Sequence, residues 1–176
     1  YLEPSQAKAL DFLMQLRGQR LVSDVVIVAI DDKAFESFGQ RQPIPRDYLA
    51  RVLRGLRRSG AAVVGLDIAF TAPTAAAEDG ALVRAVADFG EGGARRVVLT
   101  AVLPSSGPLA EPAFGDLVAH GDPRVAQDSD GVVRQAALLL PKDGSGHVPA
   151  FALVIAARLQ GIEPDRLVAA LGGARP

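Results

Sequence analysis

Three observations in this 176-residue sequence predict an α/β fold. Short apolar runs at 25–30 (VVIVAI), 61–66 (AAVVGL) and 96–103 (RVVLTAVL) lack the alternation of a half-solvated strand. Such runs suit a parallel sheet covered on both faces. Stretches with helical spacing of apolar residues lie between them, so β-α-β-α-β order with right-handed crossovers is expected over 25–103. The turn-forming Asp128-Ser129-Asp130-Gly131 separates the segments 125–127 and 132–140 and predicts an antiparallel hairpin late in the chain. The expected architecture is therefore a three-layer, mostly parallel sheet with right-handed βαβ crossovers and that hairpin added.

The elements follow in order. Pro4 suits a first helical turn, and Ala7, Leu10, Leu13, Met14 and Arg17 continue at helical spacing until Gly18, which predicts a helix over 4–17. The first apolar run ends on Asp31-Asp32, and 33–38 form one or two helical turns before a loop through Pro45. Asp47 is placed to cap a helix in which Tyr48, Leu49, Val52, Leu53 and Leu56 share a face, while Arg51, Arg54, Arg57 and Arg58 point away. Gly60 ends it. The second run closes on Asp67, and a helix over 78–89 turns Leu82, Val83 and Val86 inward. After the third run, 104–113 hold three prolines and read as a loop, with a short helix expected over 114–119. Pro149 starts an apolar helix through Phe151, Val154, Ile155 and Leu159 that Gly161 ends, and Pro164 starts another.

Composition narrows the function. At 49% hydrophobic and 22% charged residues, a chain of this length forms one domain and buries roughly 70% of its unfolded surface without staples. Cysteine is absent, which removes thiolate catalysis and Cys-ligated metal sites. A net charge of −1, 5% aromatics and no tryptophan argue against nucleic-acid binding. The longest uncharged apolar stretch, 148–157, falls far short of the ~20 residues of a membrane span. His120 and His147 stand beside glycines without a nucleophile, and neither a G-x-S-x-G elbow nor a phosphate-binding glycine motif occurs, so no catalytic residue is expected. The 128–131 segment starts like a calcium loop, but its twelfth position is Leu139 rather than glutamate.

The acidic strand ends are the most suggestive group. Adjacent parallel strands place Asp31, Asp32 and Asp67 beyond neighbouring carboxyl ends, where open sheets bind ligands. Close carboxylates repel and call for a cation, and Arg46 in the following loop is a candidate partner. Three readings stay open: Asp31 and Asp67 bond backbone N–H groups of the loops they open, the group forms an Arg-paired ligand site, or it binds a divalent metal.

Several segments together resemble the type-two CHASE domain, the extracytoplasmic sensory module of bacterial adenylate cyclases, histidine kinases and Ser/Thr kinases. They are DVVIVAIDDKAFESFG at 24–39, RQPIPRDYLARVLRGLRRSGAAVVGLDIAF at 41–70, DSDGVVR at 128–134 and PAFAL at 149–153. The second segment has Gln42 and Ile44 where the family often has tryptophan. The resemblance implies a receptor with an N-terminal membrane helix, this domain on the periplasmic side of the inner membrane, and a cytoplasmic output. Residues 1–20 are then an N-terminal helix continuing from the anchor, and 21–176 a sensory domain or part of a longer one. The expected ligand-binding residues are Asp31, Asp32, Arg46 and Asp67, with Arg134 added. No cofactor or metal is assigned. The partners expected are a small-molecule or environmental signal and a second copy joined through the N-terminal helix and the membrane segments. Two alternatives remain: a small metal-dependent enzyme using the strand-end carboxylates, and a ligand-free dimerisation module.

Overall fold

Apolar residues at alternate positions of three short strands build the centre of the fold. A computed structural model describes residues 4–18, 24–70, 73–90, 94–101, 114–141 and 146–172. β1 (Val64–Leu66), β2 (Val97–Thr100) and β3 (Val118–Gly121) form a parallel sheet in the order β1-β2-β3, with Val64 opposite Val97 and Val97 opposite Val118. Val64, Leu66, Val97, Leu99 and Val118 face one core. Leu49 and Leu53 of α3 (Arg46–Arg58) and Leu82, Val86 and Phe89 of α4 (Ala76–Phe89) fill that core with Phe70 and Phe114. Fully burying a leucine such as Leu82 or Leu99 contributes about 1.5–3 kcal/mol.

The intervening side chains Val98 and Ala119 face the opposite way, against Val154, with Phe151 and Ile155 alongside on α5 (Phe151–Leu159). Gly121 permits this approach: a Cβ there would stand 2.5 Å from Phe151 Cα and 2.9 Å from its nitrogen. The α/β class predicted from the sequence is thus observed, with helices packed on a three-stranded parallel sheet and a small antiparallel pair added.

The remaining helices are α1 (Pro4–Arg17), α2 (Asp32–Ser37) and α6 (Pro164–Gly172). Gly60 ends α3 as expected, at φ 83°, with its N–H donating to the Arg57 carbonyl and that of Ala61 to the Leu56 carbonyl. That paired closure satisfies carbonyls the helix leaves open.

Four local expectations change. Residues 25–30 form no strand, and Val25, Val26, Ile27 and Val28 are 56–88% exposed, while Ile30 packs on the core. β-Branched composition favours a strand only where a ladder partner and a covering layer exist, and among the described residues neither meets 25–28. The segment expected to be helical over 114–119 is a single 3₁₀ turn, Gly115–Leu117, followed by β3, which contributes the third parallel strand. The 128–131 turn forms without a hairpin around it; the antiparallel pair is β4 (Leu139–Pro141) with β5 (His147–Pro149). Pro149 therefore ends β5, and Ala150 stands at the N-cap of α5. Asp47 does not cap α3: Pro45 occupies that position, and the Asp47 carboxylate pairs with Arg51 one turn on. The loop at 104–113 and the last two residues of the third run lie outside the described residues.

Candidate functional site

Arg46 opens α3, and the packing of α3 on α4 buries its side chain to 1% exposure. Its guanidinium carbon lies 4.3 Å from the Phe70 ring centroid, a cation–π stack, and Phe70 meets Phe114 edge-on at 5.8 Å. Arg46 Nε is 3.6 Å from Asp79 Oδ1 on α4, and Glu78 adds a second negative charge. Burial lowers the Arg46 pKa, and those two carboxylates oppose the shift. Arg41 donates to Glu78 Oε1 at 3.2 Å, and Thr74 Oγ1 donates to Asp79 Oδ1 at 2.6 Å. The carboxylates near Arg46 are not the expected Asp31, Asp32 and Asp67; they come from the first turn of α4.

The aspartates expected at strand ends occupy separate roles, and only Asp67 follows a strand. Asp31 is the N-cap of α2, its Oδ1 accepting the Ala34 N–H at 2.9 Å. This is the backbone-bonding role that a loop-opening aspartate commonly takes. Asp32 is the first residue of α2 and is exposed, and Asp67 follows β1 directly and is also exposed.

Arg134 organises the largest polar cluster described. The turn before it is set by Asp128 N–H donating to the Val132 carbonyl at 3.0 Å and by Gly131 at φ 80°. Its guanidinium donates to both oxygens of Asp11 on α1, from Nε at 2.7 Å and from Nη2 at 2.8 Å. Nη1 donates to Asp128 and Asp130 at 2.9 Å each, and Nη2 donates to Asp130 at 2.8 Å. All five N–H donors of the side chain are thereby used, and it is 6% exposed. Three carboxylates against one guanidinium leave the cluster at −3 + 1 = −2. Hydrogen bonds from Arg134 hold Asp130 down to about 2 and lower Asp11, while those carboxylates raise Arg134 well above its ordinary value.

A second acidic residue at a strand end escaped the sequence reading. Asp122 follows β3, has a side chain 0% exposed, and accepts from Arg124 Nε at 3.0 and 2.9 Å and from Nη2 at 2.7 Å. The Arg124 backbone N–H adds a bond at 2.9 Å, and Arg124 Nη2 reaches the Pro141 carbonyl at 3.2 Å. The signal was the same as for Asp67, an aspartate directly after a strand. It was hidden because β3 was read as a helix.

Open clefts lie elsewhere. One of about 220 Å³ is lined by residues including Arg95, His120, Pro149 and Pro164, and one of about 360 Å³ by Arg54, Arg57, Arg58 and Asp88. None of the five expected ligand-binding residues lines either. Among the described residues, no group of three or more His, Asp or Glu side chains is placed to hold a metal ion. The carboxylates that do converge, Asp11, Asp128 and Asp130, already share a guanidinium. Among the described residues, no helix is long and apolar enough to cross a membrane.

In the comparison with known proteins, a family model described as the CHASE2 domain matches residues 2–174. No curated protein and no solved structure matches the chain.

Proposed function

The chain belongs to the CHASE2 domain family, a family of extracellular sensory domains of signalling receptors, and from that premise we propose that it senses for a bacterial membrane receptor. The observation that carries this reading is the match over residues 2–174, nearly the whole chain. In the proposed receptor the domain faces the periplasm, α1 continues from an N-terminal anchor, and 21–176 form the sensory body. The output lies in the cytoplasm and is catalytic, such as an adenylate cyclase or a histidine kinase. The domain itself recognises and does not catalyse, in keeping with the sensory character of its family.

Signal recognition is proposed at the exposed Asp67 after β1 and the exposed Asp31 and Asp32 at the start of α2, with Arg46 at the start of α3. A small molecule or an environmental change shifts such a domain only through unequal affinity for its two states. A second copy is proposed along α1, whose Phe12, Leu13, Met14 and Leu16 are 60–68% exposed. The test is output from the full-length receptor across a small-molecule and pH screen. Asp67→Ala, at an exposed position, is expected to keep the fold and to shift the response. An unchanged response in that variant removes the strand-end site.

A further inference from the structure

α1 turns Phe12, Leu13, Met14 and Leu16 outward, so these four do little to fix its direction against the body, while Ala7 and Leu10 are partly buried. A polar contact adds a directional constraint. Asp11 reaches Arg134, 123 positions along the chain, and takes two of its five N–H donors in a forked, two-oxygen arrangement. A forked pair constrains angle as well as distance, because the planar guanidinium and the carboxylate must stay aligned. The other three donors go to Asp128 and Asp130, whose positions are set by the 128–131 turn. Asp130 is held further by the Val132 N–H on its Oδ1 at 3.1 Å. With every donor occupied and two negative charges in excess, the guanidinium has no slack. A change in the turn must redistribute the bonds that hold α1.

We propose that Arg134 is the joint that sets the direction of α1 and passes the state of the 128–131 turn to it. The inference rests on the sensory reading, in which α1 leads to the membrane anchor. Arg134 is then a positioning residue: it acts through Asp11 on α1 and needs no contact with a ligand. On this proposal the forked pair is made in one signalling state, as the structure shows it, and broken in the other.

The chain contains no cysteine, so spin labels at Lys8→Cys on α1 and Arg54→Cys on the exposed face of α3 attach nowhere else. The wild-type background is expected to give one narrow inter-label distance. Asp11→Asn, which leaves Asp128 and Asp130 on Arg134, is expected to lose it, and Arg134→Lys is expected to lose it too because an ammonium cannot form the fork. Amide exchange in β2 serves as the folding control. A narrow distance retained in folded Asp11→Asn overturns the joint. The same variant in the full-length receptor is expected to shift basal output. A broadened distance with unaltered output overturns the transmission of the signal while leaving the sensory reading in place, since that reading is tested separately by which side of the membrane the domain faces.

Discussion

Arg46, Arg124 and Arg134 each hold carboxylates, and their settings decide what a substitution does. Arg124 is partly exposed, but its partner Asp122 is fully buried and also accepts a backbone N–H. Asp122→Ala strands those donors and is expected to cost roughly 1–3 kcal/mol in urea unfolding; a loss of a few tenths would place Asp122 outside the structural framework. The Arg134 cluster predicts a pH signature. Asp11 and Asp130 are depressed, so their contribution is fully present above the ordinary aspartate value near ~4 and is lost as pH falls through about 2, the value for Asp130. Stability measured from pH 5 downward is therefore expected to fall between roughly pH 4 and pH 2 in the wild type. The fall is expected to be shallower in Arg134→Gln, and identical profiles would contradict the assigned pairing.

Elements were legible in the sequence where a period and a punctuation mark coincided. The helix over 4–17, the inward face of α3 and the closures at Gly60 and Gly161 follow from 3.6-residue spacing and glycine positions, which are local properties. Strands were legible only in part, because a strand depends on a partner that local sequence does not name. Among the described residues the most apolar run, 25–30, has no ladder, whereas the less distinctive Val118–Gly121 is paired along its length with β2. Three predictions belong at this scale. Gly121→Ala drives a Cβ into the Phe151 backbone and is expected to destabilise by about 1–3 kcal/mol. Gly65→Ala meets the side-chain ends of Ile155 and Phe151 rather than backbone and is expected to cost less. Equal unfolding midpoints for the two variants would contradict the close seating of α5. Asp31→Ala removes the α2 cap and is expected to cost about 1 kcal/mol, or nothing if Asp31 is not capping that helix.

For the whole molecule, the partnerships of the candidate residues were not legible in the sequence. Arg46 was expected to meet strand-end carboxylates and instead meets Glu78 and Asp79, because the packing of α3 against α4 decides which charges face it. Arg134 was named without its partner, since nothing near residue 134 in sequence announces an aspartate on a helix 123 positions earlier. Both outcomes share a cause: ion pairs between elements depend on tertiary placement. The family match supplies what the geometry alone does not, a sensory role for a fold whose described polar clusters pair internally. That role makes a directional claim about the membrane. With no native cysteine in the chain, Ser59→Cys on the exposed turn after α3 gives a single labelling site in the full-length protein, provided the rest of that protein is likewise free of accessible thiols. A membrane-impermeant maleimide added to intact spheroplasts is predicted to label it before lysis. Labelling that appears only after lysis would contradict an extracellular sensory domain.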